Sequence, residues 1–153
     1  MKIGQKLKEL DFIINNNDKI TNKDLLGKKL IIYFYPKDDT PGCTKEAISF
    51  SSNLEKFEEN NTSILGVSKD TIEKHEKFIS KHKLKIKLVS DENLEICNEF
   101  KTWVEKSMYG RKYMGIERST FLFDENLVLI KCWRNVKVKG HVEEVLDFVI
   151  KQA

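Results

Sequence analysis

The stretch LIIYFYPKDDTPGCTKE, from Leu30 to Glu46, decides the fold of this 153-residue chain. Its first six residues are aliphatic or aromatic, which predicts a buried strand. Pro36 and the polar residues after it end that strand. From Thr44 onward the apolar residues follow a helical spacing of three and four, at Ala47, Phe50 and Leu54. The stretch therefore predicts a strand, a polar turn and a helix, in that order.

Cys43 lies at the junction of the turn and the helix. The first turn of a helix has unpaired amide groups and the positive end of the helix dipole, and both favour a thiolate over a thiol. We therefore predict a reactive cysteine at this position. The alternative is a small buried hydrophobic residue, as free cysteines often are.

The composition indicates one compact domain. Hydrophobic residues make up 40% of the chain, which is enough to fill a core at this length. We therefore expect residues 1–153 to form a single domain. The 27 lysines and arginines nearly balance the 24 acidic residues, so charge gives no case for binding nucleic acid or a membrane surface.

The three cysteines, Cys43, Cys97 and Cys132, form an odd set without the paired spacing of zinc ligands. This argues against a disulfide scaffold and against a metal site, and it leaves a reactive thiol as the explanation. The first residues lack the apolar segment of a signal peptide, and no run approaches the ~20 apolar residues of a membrane span. We therefore expect the protein to work in a reducing cytoplasm.

The remaining patterns alternate between strands and helices. Strands or hairpins are predicted at 11–20, 63–68, 84–89 and 119–133, and helices at 44–61, 71–83, 92–100 and 141–151. The run 63–68 is apolar without alternation, which is typical of a central parallel strand, and it begins a βαβ unit. We therefore predict an α/β fold in which helices flank a central mixed sheet.

The junction after the first strand carries the spacing Pro36-x-x-x-Thr40-x-x-Cys43 within the run YPKDDTPGCTKE. The spacing resembles the active-site motif of the peroxiredoxins, and the longer run looks like that of their bacterioferritin-comigratory, or peroxiredoxin Q, branch. Further similar segments extend the resemblance over nearly the whole chain, at 65–70, 88–91, 105–110, 118–121 and 136–141. The resemblance implies a thioredoxin-like fold, an AhpC/TSA-type domain and a peroxidase that requires no cofactor or metal.

By this resemblance, Cys43 attacks hydrogen peroxide or an alkyl hydroperoxide, releases water or an alcohol, and becomes a sulfenic acid. The hydroxyl of Thr40 would hydrogen-bond the peroxide and engage the thiolate. Arg118 corresponds to the family's active-site arginine and would hold the thiolate and the developing oxyanion. Pro36 would shield the thiolate from water, and Gly42 would let the backbone turn closely under the substrate. The alternatives are ordinary turn roles and, for Arg118, a solvated surface role.

The sequence departs from the branch at the resolving cysteine, which the best-known pattern has five residues after the nucleophile. This chain has Ile48 there. We therefore expect an external thiol, from a thioredoxin, a glutaredoxin or glutathione, to attack the sulfenic acid. The alternative is a two-cysteine peroxidase with Cys97, or after it Cys132, as the resolving residue, although core burial is the expected role of both. The resemblance also implies a monomer or a weak homodimer.

Two other functions stay open, namely a thiol redox sensor or relay and a non-catalytic thioredoxin-fold binding module. A relay would form mixed disulfides with a partner protein, whereas a binding module would leave Cys43 unreactive at neutral pH. A disulfide oxidoreductase is disfavoured because Cys43-Thr44-Lys45-Glu46 lacks the second cysteine of Cys-x-x-Cys. The sequence assigns His75 and His82 to a helix surface or to helix packing, not to the role of a base for Cys43.

Overall fold

The structure is a computed structural model that describes residues 1–15 and 18–152. The helices of this part of the chain are α1 (Asn22–Leu25), α2 (Pro41–Ser52), α3 (Leu54–Glu59), α4 (Ile72–His82), α5 (Glu95–Glu99) and α6 (His141–Lys151). Its strands are β1 (Phe12–Asn15), β2 (Asp18–Ile20), β3 (Lys29–Phe34), β4 (Thr62–Ser68), β5 (Lys87–Ser90), β6 (Trp103–Met108), β7 (Arg111–Ile116), β8 (Ser119–Phe123) and β9 (Leu129–Trp133).

Five strands form a central sheet in the order β5-β4-β3-β8-β9. Strands β3, β4 and β5 are parallel, whereas β8 is antiparallel to β3 and β9 is antiparallel to β8. The sheet is therefore mixed, as the sequence predicts, and β4, α4 and β5 form the predicted βαβ unit. Strand β3 lies in the middle with all six residues buried, which explains why its sequence shows no polar alternation.

Alternate residues of β3 enter two hydrophobic clusters on opposite faces of the sheet. Leu30 and Ile32 belong to what we call the first core cluster, and Ile31 and Tyr33 belong to the second core cluster. The second core cluster also takes residues from several helices, among them α2 with Cys43 and α6. The side chain of the predicted active cysteine therefore packs in the core on the face of the central strand that α2 covers.

Four predicted elements are confirmed. The hairpins predicted at 11–20 and 119–133 are the antiparallel pairs β1-β2 and β8-β9, although residues 16 and 17 of the first predicted turn lie outside the described residues. The helices predicted at 71–83 and 141–151 are α4 and α6. Within 1–15 and 18–152, no helix combines the length and apolar character needed to cross a bilayer.

The single helix predicted over 44–61 is wrong, because the chain breaks at Asn53 into α2 and α3. Asn53 has φ −100° and ψ 3°, and its side-chain amide donates to the carbonyl of Ser49 at 2.8 Å. Such a bond from a side chain to the backbone competes with helical hydrogen bonding. The helix predicted over 92–100 is also shorter than expected, since Leu94 adopts a left-handed conformation with φ 64° directly before α5.

The hairpin β6-β7 is a feature that the sequence analysis does not predict. Its strands form a separate two-stranded sheet, with Met108 opposite Arg111 across the turn. Most of its residues are exposed or half-buried, so the alternation of apolar and polar residues that marks a half-buried strand is weak.

Candidate active site

The N-terminus of α2 lies directly after the central strand. Thr40, the residue before the helix, has extended dihedrals (φ −92°, ψ 154°), and its carbonyl accepts a hydrogen bond from the N–H of Thr44 at 2.8 Å. Pro41 suits the first turn because an N–H there has no helical partner. Cys43 is the third residue of this helix and is only 1% exposed. It therefore lies where the helix dipole favours a thiolate.

Arg118 approaches Cys43 from the neighbouring strand. Ser119 of β8 lies opposite Phe34 of β3, so the preceding Arg118 stands beside the end of the central strand. Its Nη2 atom donates to Cys43 Sγ at 3.4 Å. Burial lowers the pKa of Arg118, but Glu46 and Cys43 together raise it by more, so the guanidinium stays charged. The sheet thus brings the two residues together.

Glu46 completes this group, and the sequence analysis does not single it out. It lies one helical turn after Cys43 and is fully buried. Its Oε1 atom accepts a hydrogen bond from Arg118 Nη1 at 2.7 Å. Burial raises the pKa of Glu46 to about 7, and Arg118 acts in the opposite direction. One guanidinium therefore contacts both the sulfur and a buried carboxyl group, and the helical spacing of three was the signal that could have shown it.

Gly42 lies inside α2, whereas the sequence predicts it in a turn. A β-carbon built at this residue would lie 3.3 Å from Arg118 Nη2 and 3.8 Å from Val138 Cγ2. The missing side chain therefore makes room for the guanidinium beside the sulfur.

Thr40 and Pro36 flank the site on the turn. The Thr40 hydroxyl donates to the carbonyl of Lys37 at 2.8 Å, so its lone pairs are what it can offer to a peroxide O–H. Pro36 lies at the edge of a groove of about 560 Å³, together with Trp103 and Lys106. Lys106 has a lowered pKa because it is partly desolvated and because Arg118 repels its charge, which places a second cation near the guanidinium.

The chain with this arrangement of a thiol, a fixed guanidinium and a helix N-terminus matches a known protein family. The model of the AhpC/TSA family matches residues 3–131. The chain belongs to the AhpC/TSA family. It is 47% identical to peroxiredoxin Bcp of Bacillus subtilis over 147 residues, which cover 96% of this chain and 94% of that relative.

Solved structures of peroxiredoxin Q proteins show the same fold. A mutant of Xylella fastidiosa PrxQ is 38% identical and has a TM-score of 0.94, with 99% of this chain and 97% of that chain covered. The Xanthomonas campestris bacterioferritin comigratory protein, studied for its alkyl peroxide reduction activity, is 39% identical with a TM-score of 0.88, and 94% of this chain and 91% of that chain are covered. The predicted thioredoxin-like fold and branch are confirmed, and this peroxiredoxin is a thiol-dependent peroxidase.

The other cysteines of this peroxiredoxin lie away from Cys43. Cys97 is fully buried in the first core cluster, and Cys132 of β9 packs against that same cluster while being half-buried. The central sheet separates both from Cys43 in the second core cluster. Burial raises the pKa of Cys97, and the nearby carboxylate of Asp91 raises it further. Ile48, five residues after Cys43, is 41% exposed.

A buried polar cluster lies beside the active-site turn. Asp38, Asp70 and His75 bring ligand-type atoms within 4.8 Å of one another, as in a metal site. However, His75 Nδ1 and Asp38 Oδ2 are 2.6 Å apart, whereas two ligands at about 2.1 Å from a tetrahedral zinc ion are separated by about 3.4 Å. Hydrogen bonds therefore join these groups. Of the two placements that the sequence leaves open for His75, the structure shows packing: the residue is only 1% exposed and contacts Asp38 of the active-site turn.

Proposed function

We propose that Cys43 is the peroxidatic nucleophile and that this peroxiredoxin reduces hydrogen peroxide and alkyl hydroperoxides. The observation that carries the proposal is the 3.4 Å hydrogen bond from Arg118 Nη2 to Cys43 Sγ in the first turn of α2. Alkyl hydroperoxides are included because the similar Xanthomonas campestris protein was studied for alkyl peroxide reduction. Protection against peroxides and redox homeostasis follow as the cellular role.

In the proposed reaction the Cys43 thiolate attacks one peroxide oxygen and the oxygen–oxygen bond breaks. Sulfur is oxidised to a sulfenic acid, and the leaving oxygen takes up a proton to give water or an alcohol. Arg118 stabilises the thiolate and the charge that moves to the leaving oxygen. Thr40 accepts a hydrogen bond from the peroxide, Gly42 makes room for substrate and guanidinium, and Pro36 limits the access of water.

The reductant that we propose is an external thiol. It condenses with the sulfenic acid, releases water and forms a mixed disulfide with Cys43, and a second thiol then regenerates the free cysteine. The central sheet between Cys43 and the other two cysteines supports this proposal over internal resolution by Cys97 or Cys132. A thioredoxin, a glutaredoxin or glutathione would supply the thiol in a reducing cytoplasm, and the protein would act as one domain, as a monomer or weak homodimer.

The test is a non-reducing peptide mass map after the reduced protein reacts with one equivalent of hydrogen peroxide in the presence of dimedone. We expect dimedone on Cys43, with Cys97 and Cys132 still free. An unmodified Cys43 would contradict the nucleophile assignment. A disulfide between Cys43 and either other cysteine would replace the external thiol by an internal one.

Turnover assays separate the reductant from the nucleophile. The variants Cys97→Ser and Cys132→Ser, singly and together, are expected to keep turnover with the external thiol, whereas Cys43→Ser loses it. Collapse of turnover in either of the first two variants would show that the mutated cysteine resolves the sulfenic acid.

A further inference from the structure

A buried cluster of five side chains contacts the active-site turn. We call it the Asp38 cluster, and its members are Tyr35, Asp38, Ser68, Asp70 and His75. These residues come from the position directly after β3, from the turn itself, from the end of β4 and the loop that follows it, and from α4. The carboxylate of Asp38 accepts a hydrogen bond from the Tyr35 hydroxyl at 2.6 Å and lies 2.6 Å from His75 Nδ1. The cluster therefore connects α4 to the turn that leads into Cys43.

The hydrogen bonds fix the number of protons in the cluster. His75 Nε2 lies 3.0 Å from the carbonyl of Val89, which can only accept, so Nε2 carries a hydrogen. His75 Nδ1 and Asp38 Oδ2 are 2.6 Å apart, and two lone pairs would repel at that distance. One further proton therefore lies between Asp38 and His75, either as an imidazolium–carboxylate pair or as a protonated carboxyl group that donates to a neutral imidazole.

Asp70 holds the main chain of the same turn. Its Oδ2 atom accepts hydrogen bonds from the backbone N–H of Asp38 at 2.9 Å and from the Ser68 hydroxyl at 2.7 Å. Asp38 is thus fixed through both its side chain and its backbone. Thr40 and Cys43 follow two and five residues later, so the position of Asp38 sets where α2 begins.

We propose that His75 is a positioning residue for the peroxide reaction, acting through the proton that it shares with Asp38. The proposal rests on Cys43 being the nucleophile. With the proton in place, the turn is held against α4, and the thiolate stays aligned with Arg118. When this hydrogen bond is removed, the turn is released from α4, and the reaction of Cys43 with peroxide slows.

Several charged or titratable groups face the imidazole. Tyr35, which follows β3, and Asp38 of the turn contact Nδ1. A carboxylate oxygen of Asp70 lies within 4.8 Å of the ligand atoms of both His75 and Asp38, and β5 contributes the uncharged Val89 carbonyl. None of the described groups that contact the imidazole is a lysine or an arginine. An extra proton between Asp38 and His75 therefore reduces the repulsion between two neighbouring carboxylates.

The adjacent Asp39 provides an internal comparison, because it binds the same helix on its exposed side. Its carboxylate accepts hydrogen bonds from Lys81 at 2.7 Å and from His82 at 2.9 Å. Lys81 and Asp39 are exposed and His82 is half-buried, so solvent screens these pairs more than it screens the buried Asp38 cluster. His82→Gln is therefore the matched control for His75→Gln, on the same helix and toward the same turn.

The experiment measures the rate of sulfenic acid formation on Cys43 with hydrogen peroxide at neutral pH, by quenched flow and dimedone trapping. His75→Gln is expected to be at least about tenfold slower at neutral pH, and His82→Gln to stay within about twofold of the wild type.

Asp38→Asn keeps the proposal testable if His75→Gln does not fold. An amide still donates to a neutral imidazole, so this variant keeps the hydrogen bond between the turn and α4 and is expected to react within about threefold of the wild-type rate at neutral pH. A loss of about tenfold or more in folded Asp38→Asn, or a wild-type rate in folded His75→Gln, would overturn the positioning role. If wild-type Cys43 formed no sulfenic acid, the proposed function would be wrong instead.

Discussion

Cys43 and Cys97 are buried to the same degree but face different charges on opposite sides of one sheet. Their exposed fractions are 1% and 0%. Cys43 has the guanidinium of Arg118 and the start of α2 beside it, whereas Cys97 has the carboxylate of Asp91, which together with burial raises its pKa. Burial alone therefore does not distinguish the two thiols. On the proposed function, the neighbouring charge decides which of them reacts.

Removing the cation should make the reactivity of Cys43 most similar to that of Cys97. Arg118→Met is expected to slow the oxidation of Cys43 by hydrogen peroxide by roughly 10²–10³-fold, because the thiolate and the leaving oxygen lose a donor that is already in place. Arg118→Lys should recover part of this loss, since an ammonium keeps the charge without the planar fork that spans sulfur and carboxylate. Stopped-flow measurement of the second-order rate constant gives both values.

Arg134 offers a control for charge removal elsewhere. It pairs with Glu117 at 3.0 Å and is 38% exposed. Arg134→Met should leave the rate constant within about twofold of the wild type. Equal losses in the Arg118 and Arg134 variants would mean that net charge, and not contact with the sulfur, accounts for the reactivity of Cys43.

The buried carboxyl group of Glu46, next to Arg118, lowers the free energy of unfolding as pH rises. Burial raises its pKa from the ordinary value 4.5 to about 7, so over this range the folded protein binds a proton that the unfolded chain has released. The free energy of unfolding should therefore decrease as pH rises from about 4.5 to about 7, by up to about 3 kcal/mol. Glu46→Gln should remove this slope, as measured by urea unfolding at several pH values.

In both the wild type and Glu46→Gln, His141 makes the free energy of unfolding change with pH in the opposite direction. Burial lowers its pKa to about 4, so protonation of the unfolded chain destabilises the fold as pH falls below the ordinary value of 6.5. The difference between the wild-type and Glu46→Gln curves therefore isolates Glu46. Parallel curves for the two proteins would show that Glu46 titrates alike in the folded and unfolded chains.

A smaller effect is expected from crowding the guanidinium. Gly42→Ala would place a β-carbon 3.3 Å from Arg118 Nη2, and we expect a loss of about fivefold in the rate with peroxide because the guanidinium must shift. Gly115→Ala makes an equally close contact, 3.3 Å to Lys106 Cδ, but meets a flexible side chain. It should leave the rate nearly unchanged, and similar losses in both variants would mean that Arg118 does not need this space.

The sequence predicts the central fold well because burial there leaves a strong pattern. The run from Leu30 to Tyr35 is buried on both faces of the sheet, and the amphipathic segment 141–151 matches α6 at both ends. The hairpin β6-β7 lacks such a pattern, since it packs little of its surface. The break at Asn53 depends on one bond between a side chain and the backbone, which hydrophobic spacing does not record.

Within the site, the sequence identifies residues in the motif but not those that reach it through folding. Cys43 and Arg118 are 75 residues apart, and only the resemblance links them before the pairing of β3 with β8 is known. Glu46 is not singled out, because a charged residue in a helix is usually exposed. The sequence leaves His75 either on the helix surface or in helix packing, because nothing in it shows that α4 lies against the active-site turn.

The sheet between Cys43 and the other two cysteines bears on the lifetime of the enzyme. A sulfenic acid that cannot reach a thiol in its own chain waits for one from solution. During that wait a second peroxide can convert it to a sulfinic acid, which thiols do not reverse. On the proposed mechanism, the number of cycles that each molecule completes before overoxidation would depend on the ratio of reductant to peroxide around it.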